Sequence, residues 1–156
     1  MSAVQELKQL LENDIHQLRQ LMELMEEESR VLRSRDVKAL EPLASRKGKL
    51  LDDVRNRARE KVHLLVKIGY RPDQGEPSRF IRSAGLADLA SLWGDAQQLL
   101  DQCQNINRQN SRTVSHLQKR LARLTDIFRG SSSQQKLYGA SGQQTSVGQR
   151  NILASA

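Results

Sequence analysis

The residue types that most often carry chemistry are few in this chain and lie far apart. The three histidines, His16, His63 and His116, fall in three different predicted helices, so no two share a helix face at metal-ligand spacing. Cys103 falls on an apolar stripe, where a buried small side chain is expected rather than a nucleophile. The sequence contains no G-x-x-x-x-G-K-S/T, H-E-x-x-H or G-x-S-x-G motif. It therefore predicts no catalytic residue, no metal site and no cofactor, and the chain is not expected to be an enzyme.

The chain is basic, with a formal net charge of +7 and an isoelectric point of about 10.0. Such a charge suits a nucleic acid, an acidic membrane surface or an acidic protein partner. The basic runs "SRKGK" and "RNRAREK" are interrupted or flanked by Asp52, Asp53 and Glu60, and no aromatic residue is interleaved for base stacking. These runs are interpreted as solvated helix faces, and no nucleic acid partner is expected.

Cysteine content and hydropathy indicate a compartment. One cysteine excludes an internal disulfide and suits a reducing environment. The stretch "MSAVQELKQLLENDIHQL" has charges every few residues, unlike a secretory signal, and no apolar run approaches the roughly 18 residues of a membrane span. We therefore expect a cytoplasmic protein.

The elements that must position these residues are long helices. Aromatic residues make up only 3% of the chain, which suits helices packed side by side more than an aromatic-filled globule. The prediction is all-α: an elongated antiparallel three-helix bundle or coiled coil with one long C-terminal helix and a flexible tail. The helices are expected over about residues 2–33, 37–68 and 86–128 of a domain at 1–130. Gly130 and "SSSQQ" are expected to end the third helix and open a tail at 131–156.

Each of the first two helices carries one apolar stripe with two charged exceptions. The exceptions are Asp14 and Glu28 in the first helix and Lys47 and Lys61 in the second, two heptads apart in each case. The stripes themselves comprise Val4, Leu7, Leu11, Leu18, Leu21, Met25 and Leu32, and then Leu40, Ala44, Leu51, Val54, Ala58, Leu65 and Ile68.

The four exceptions are spaced as two pairs. In an antiparallel hairpin, facing residues have numbers with a constant sum, and Glu28 with Lys47 has the same sum as Asp14 with Lys61. The implied bend falls slightly past the sequence turn, within the reach of a lysine stem. We expect these pairs to help set the hairpin register, as polar seam residues do. The alternative is four solvated charges on the edge of the seam.

The third helix has the longest repeat. Its stripe alternates in steps of three and four residues, which is typical of a coiled-coil seam, and it includes Asn107 and Asn110. These buried amides are interpreted as a polar layer that sets register, or as groups that face a later partner. The stripe comprises Leu86, Leu89, Trp93, Ala96, Leu100, Cys103, Asn107, Asn110, Val114, Leu117, Leu121, Leu124 and Phe128.

Two short helices cannot cover the third. At about 1.5 Å per residue it spans about 65 Å, against about 45 Å for each of the others. An uncovered apolar stripe is a binding site or an aggregation hazard, and a partner's amphipathic helix is the natural ligand. Self-association through the same stripe is the alternative. The residues expected to bind are Val114, Leu117, Leu121, Leu124 and Phe128.

Three stretches together resemble the FlgN-type flagellar export chaperones. "ALEPLASRKGKLLDDV" is similar to the family's second helix, with a lysine before paired leucines. "NINRQNSRTVSHLQKRL" is similar to its asparagine-bearing third helix, although Ser111 stands where a glycine often follows the second asparagine. "KLYGASGQQTSV" resembles the C-terminal signature of leucine-tyrosine-glycine, two variable residues, then glycine-glutamine.

The resemblance implies a cytoplasmic, non-enzymatic chaperone. Its expected partners are the hook–filament junction (hook-associated) proteins, whose C-terminal helical segments it would hold unassembled, and the membrane export gate of the flagellar type III apparatus. The family's gate-contacting tyrosine matches Tyr138, with Leu137 beside it. These two residues are the expected gate-docking pair, unless they fold back over the exposed stripe. A homo-oligomeric coiled-coil scaffold is the alternative function.

Overall fold

The computed structural model describes the backbone of residues 2–138 and the side chains of residues 2–130. Over this range it is all-helical, as predicted, with no strand between residues 2 and 138. None of the helices in this range contains an apolar stretch of the length that a membrane span requires. The elements are α1 (Ala3–Ser34), α2 (Val37–Ile68), a 3-10 turn (Pro72–Gln74), α3 (Pro77–Ser83) and α4 (Ala87–Tyr138).

Helices α1 and α2 form a hairpin because local signals end one helix just before the next begins. Ser2 caps α1 in a capping box, accepting from the Gln5 backbone and donating its own N–H to the Gln5 side chain, both at 3.2 Å. Arg35 ends α1 in the left-handed region (φ 61°), and only Arg35 and Asp36 separate the two helices. So short a connection leaves the antiparallel arrangement as the way to bury both apolar faces.

Within residues 2–110, α4 completes a three-helix bundle. The Cys103 thiol lies against the Leu18 carbonyl and the Asn110 amide against the Met25 carbonyl, and both contacts join residues 85 positions apart. A constant difference of this kind means that α4 runs parallel to α1. It runs antiparallel to α2, which places the third helix in the predicted alternation.

Helix α1 contributes half of the buried apolar residues among those described. All its predicted stripe leucines and Met25 are buried, and so is Asp14. One end of the core gathers Leu7, Leu11, Ile15, Leu64, Leu65, Tyr70, Ile81, Leu89 and Ala96. The other gathers Leu18, Leu21, Leu24, Met25, Leu43 and Cys103.

The predicted stripe of α2 is confirmed at five of its seven positions. Leu40, Leu51, Val54, Leu65 and Ile68 are buried or half-buried, and so are the charged exceptions Lys47 and Lys61, but Ala44 and Ala58 are exposed. The seam is wider than predicted, because Leu43, Leu50, Arg57 and Leu64 are also buried or half-buried. Arg57 is among them because it pairs with a buried carboxylate, whereas a hydrophobicity pattern assigns an arginine to solvent.

The chain after α2 turns back over the end of the bundle. Gly69 ends α2 with φ 118°, a conformation that favours glycine, and its N–H bonds back to α2 carbonyls. The Tyr70 hydroxyl donates to the Gly75 carbonyl (2.8 Å), and the Tyr70 and Phe80 rings pack with centroids 5.6 Å apart. This folding buries Ile81 of α3 completely.

The chain divides into two compact units between Asn110 and Ser111, inside α4. The predicted end of this helix near Phe128 is wrong, because the helix continues through Gly130 and "SSSQQ" to Tyr138. A glycine within a helix costs about 1 kcal/mol and does not end it unless the backbone turns left-handed. Residues 139–156, which hold most of the predicted flexible tail, lie outside the described residues. The domain boundary at residue 130 stays a prediction.

Candidate functional site

The second unit carries the residues expected to bind a partner. Residues Val114, Leu117, Leu121, Leu124 and Phe128 recur in steps of three and four and form one apolar strip, covering an arc of about 80° on α4. Leu121 is 66% exposed, Leu124 59% and Phe128 80%, while Val114 is 36% exposed and Leu117 is half-buried. Four of these five large apolar side chains are therefore exposed to solvent.

Exposure of this kind is concentrated in one place. Among the side chains described, eight large apolar residues are exposed, and five of them lie between Val114 and Phe128. The other three, Val37, Val62 and Val66, are smaller and belong to α2. Isolated exposed valines are ordinary, but a helical row of leucine, isoleucine and phenylalanine marks an interaction surface.

Ile127 belongs to this surface and was missed by the heptad pattern. It is 68% exposed and lies three residues after Leu124, which places it beside one edge of the apolar strip. A search that counted every large apolar residue between 111 and 130, rather than heptad positions alone, would have found it.

A groove between α1 and α2 is a weaker candidate. Its lining includes Glu23 and Glu27 on α1 and Arg46 and Lys49 on α2, together with Leu24 and Leu50. Since most of the lining is charged and solvated, little apolar surface is available to reward a ligand.

The first of two polar layers in the bundle is centred on Asp14, which is only 1% exposed. Arg57 donates from Nε to Asp14 Oδ1 at 2.5 Å, and Lys61 donates to Oδ2. Arg57 also donates to the Gln17 side chain, and the Lys61 ammonium lies 5.4 Å from the centroid of the Trp93 ring. The buried carboxylate is thus held by two cations, one of which also contacts α4.

The second polar layer is centred on Glu28. Lys47 Nζ donates to both Glu28 oxygens (3.2 and 3.4 Å) and to Asn107 Oδ1 (2.5 Å). Asn110 donates to Glu28 Oε1 (2.8 Å) and to the Met25 carbonyl (2.9 Å), and the Ser29 hydroxyl donates to Asn110 Oδ1 (2.5 Å). This layer joins α1, α2 and α4.

The structure therefore brings together both acid–lysine pairs expected from the constant sum. It also places the two seam asparagines in the Glu28 layer. No buried side-chain nitrogen or oxygen within residues 2–130 lacks a hydrogen-bond partner, which is what a polar layer needs to avoid a large desolvation cost. That the layers set the register of the helices stays a prediction.

The residues considered for chemistry do not form a site. His16, His63 and His116 are exposed on separate helices, and no group of three potential metal ligands lies together within the described residues. Cys103 is 3% exposed, its thiol donates to the Leu18 carbonyl at 3.4 Å, and burial raises its pKa. A thiol in that position is poorly accessible and poorly ionised.

Leu137 and Tyr138, which were predicted to lie in a flexible tail at 131–156, are the last two residues of α4. Their side chains lie outside those described, and their role as a docking pair stays a prediction.

Comparison with known proteins gives two matches. The model of a family described as "FlgN protein" matches residues 1–146. A crystal structure of a flagella synthesis protein FlgN from Pseudomonas aeruginosa, at 1.48 Å resolution, is similar with a TM-score of 0.60 and 29% sequence identity, over 68% of this chain and 84% of that chain. No curated protein matches the sequence significantly.

Proposed function

The chain belongs to the FlgN family, and from that membership, which implies a non-enzymatic role in flagellar export, we propose that it is a cytoplasmic type III export chaperone. It binds the C-terminal helical segments of hook–filament junction proteins, prevents their premature assembly and delivers them to the export gate. The family match supports the chaperone role, and the apolar strip supports the manner of binding.

The observation that carries the proposal is the solvent exposure of Leu121, Leu124 and Phe128 on one helix face. A helical cargo segment with its own apolar stripe can cover this face by helix-to-helix packing. Burying a leucine or phenylalanine side chain stabilises a complex by about 1.5–3 kcal/mol. A strip of this composition can therefore hold a segment that has few other contacts.

A division of labour follows. The apolar strip binds cargo, and Leu137 with Tyr138, at the end of the same helix, contacts the export gate. The resemblance of "KLYGASGQQTSV" to the family's C-terminal signature supports this second role. One helix then carries both contacts at successive positions.

The test is a binding titration of the full chain with C-terminal segments of the junction proteins, comparing native protein with a Leu121→Asp plus Leu124→Asp variant. Both leucines are exposed, so helicity by circular dichroism should be unchanged, while cargo affinity should fall about 100-fold or more because two apolar contacts are lost.

The matched control is Ser115→Asp plus Ala122→Asp. Both residues are exposed and lie in the same stretch of α4, away from the strip. The two substitutions introduce the same charge as the test variant. Equal loss of binding in the control and the test variant would show that charge, not the strip, is responsible. A one-to-one complex supports the chaperone. Self-association that cargo does not alter would instead support the coiled-coil scaffold.

A further inference from the structure

The helix segment that bears the apolar strip is strongly basic. Between residues 111 and 130 it has five cations and one carboxylate, Asp126, for a net charge of +4 out of +7 in the whole chain. Among the side chains described, none of the five cations has a hydrogen bond or an ion pair to another residue. They are Arg112, Lys119, Arg120, Arg123 and Arg129.

Two of these cations flank the strip. At 100° per residue, Arg120 lies about 40° outside the edge marked by Leu124, and Arg129 lies about 60° outside the edge marked by Val114. A helix packed on the strip would place its own flanking residues near these two guanidinium groups, as the residues beside a coiled-coil seam do. The remaining cations, on the far side, add to the positive field.

This charge disfavours a second copy as the occupant. Two strips that pair with each other bring +4 against +4, and like charges beside a seam destabilise the pairing. The width of the strip also disfavours a lipid surface. Its five residues keep strict three–four spacing over an arc of about 80°, and Arg120 interrupts the face between Leu124 and Ile127. This fits the seam between two helices, whereas an interfacial helix presents a broad, unbroken apolar face.

We propose that the strip selects an acidic amphipathic helix, with a leucine-type stripe flanked by glutamate or aspartate residues that face Arg120 and Arg129. This inference rests on the proposed function and names the chemical class of the cargo. Apolar contacts supply most of the affinity, and the flanking charges supply selection and faster association. A helix of the same apolar pattern with lysine flanks is rejected.

The probes are two synthetic helical peptides of about three heptads with the same leucine seam, one flanked by glutamate and one by lysine. Each is titrated into the full chain at about 0.05 M and about 0.5 M salt, since ionic screening separates charge from apolar binding. The glutamate peptide should bind at least about tenfold more tightly at low salt, and its advantage should shrink at high salt.

The variant Arg120→Glu plus Arg129→Glu should lower the affinity for the glutamate peptide about tenfold and raise the affinity for the lysine peptide. The control, Arg59→Glu plus Lys67→Glu, makes the same change in net charge at exposed positions of α2 and should leave both affinities nearly unchanged. An equal effect of the two variants would show that total charge, rather than the flanks of the strip, selects the peptide, and would overturn the proposal.

Three further outcomes would overturn it. Equal affinity for the two peptides would remove the charge selection but leave the proposed function standing, provided the Leu121→Asp plus Leu124→Asp variant still loses cargo. A dimer by sedimentation that excludes both peptides would assign the strip to a second copy. Binding of phosphatidylglycerol vesicles through the strip, with no peptide bound, would assign it to a membrane surface.

Discussion

Lys47 of α2 and Asn107 of α4 meet inside the bundle, with Nζ 2.5 Å from Oδ1. Two heptads later in α2 and two heptads earlier in α4, Lys61 and Trp93 also meet, with the ammonium 5.4 Å from the ring centroid. The residue numbers of the two pairs have the same sum, as they must for antiparallel helices in one register. Both lysines also bind an acid of α1, so each layer joins all three helices.

The Glu28–Lys47 pair gives the first prediction. Glu28→Lys and Lys47→Glu each place like charges together at positions that are 13% and 18% exposed, and each should lower the free energy of unfolding by about 2 kcal/mol or more. The double swap restores opposite charges, and Asn107 can rotate its amide to present the matching group. The double swap should recover about half of the lost free energy of unfolding, as measured by thermal or urea unfolding.

A double swap no more stable than the worse single variant would end the view that this pair helps set the register. Arg55→Asp plus Asp52→Arg is a suitable control because both side chains are 70% exposed. Neither its single substitutions nor its double swap should change stability by more than about 0.5 kcal/mol.

Asp14 gives the second prediction. Asp14→Ala leaves Arg57 and Lys61, which are only 13% and 15% exposed, without their carboxylate. Removing one partner of a buried ionic group costs about 3–5 kcal/mol, a large part of the 5–15 kcal/mol that stabilises a typical domain. Urea unfolding of this variant should show that loss. Asp52→Asn, which removes an exposed carboxylate, should not.

A triple variant separates the charge effect from packing. Substituting leucine or methionine for Asp14, Arg57 and Lys61 in one protein removes the desolvation cost of all three groups. This variant should recover most of the stability lost in Asp14→Ala. A triple variant as unstable as Asp14→Ala would mean that the shape of this layer matters more than its charges.

Cys103 gives the third prediction. Because its thiol is buried and burial raises its pKa, an aromatic disulfide reagent should modify the folded chain at least about 100-fold more slowly than the urea-unfolded chain. Comparable rates would show that the middle of α4 opens readily.

The pH dependence has a definite sign. With the folded pKa above the ordinary thiol value of 9.0, the unfolded chain releases its proton first as the pH rises. The contribution of Cys103 to stability is therefore present below about pH 9 and is lost as the pH rises toward the folded pKa. Cys103→Ser keeps a donor for the Leu18 carbonyl but does not titrate, so the difference in stability between the two proteins should narrow above pH 9.

The pairing of the charged exceptions on the apolar stripes could be predicted from the sequence. A charge on a buried face needs a partner, and antiparallel geometry limits which residues can be that partner. The position of Arg57 could not be predicted in that way. Arg57 lies in the run "RNRAREK", where hydrophobicity does not distinguish an arginine that turns inward from its solvated neighbours. Only the position of Asp14 in three dimensions makes that distinction.

The end of α4 could not be predicted for a different reason. Gly130 and three serines are weak helix formers, but weak propensity lowers stability without specifying where a helix ends. The exposed strip, by contrast, followed from the apolar spacing and the helix lengths, and Leu121, Leu124 and Phe128 are exposed. Their role in cargo binding stays a prediction, because exposure does not identify a ligand.

Tyr138 gives the last prediction. If the apolar strip binds cargo and the end of α4 contacts the export gate, then Tyr138→Ala should leave cargo affinity within about twofold of native and should reduce export of the junction proteins in flagellated cells. Tyr138 lies ten residues, about 15 Å along the helix, beyond Phe128, so a cargo segment on the strip need not reach it. Tyr138→Phe shows whether the ring or the hydroxyl is needed, and Gln135→Ala controls for substitution near the helix end. Export is measured as secreted junction protein, and cargo affinity is measured by titration with the same preparation. Loss of cargo binding in Tyr138→Ala would show that the two roles are not separate, because the tyrosine would then belong to the cargo surface.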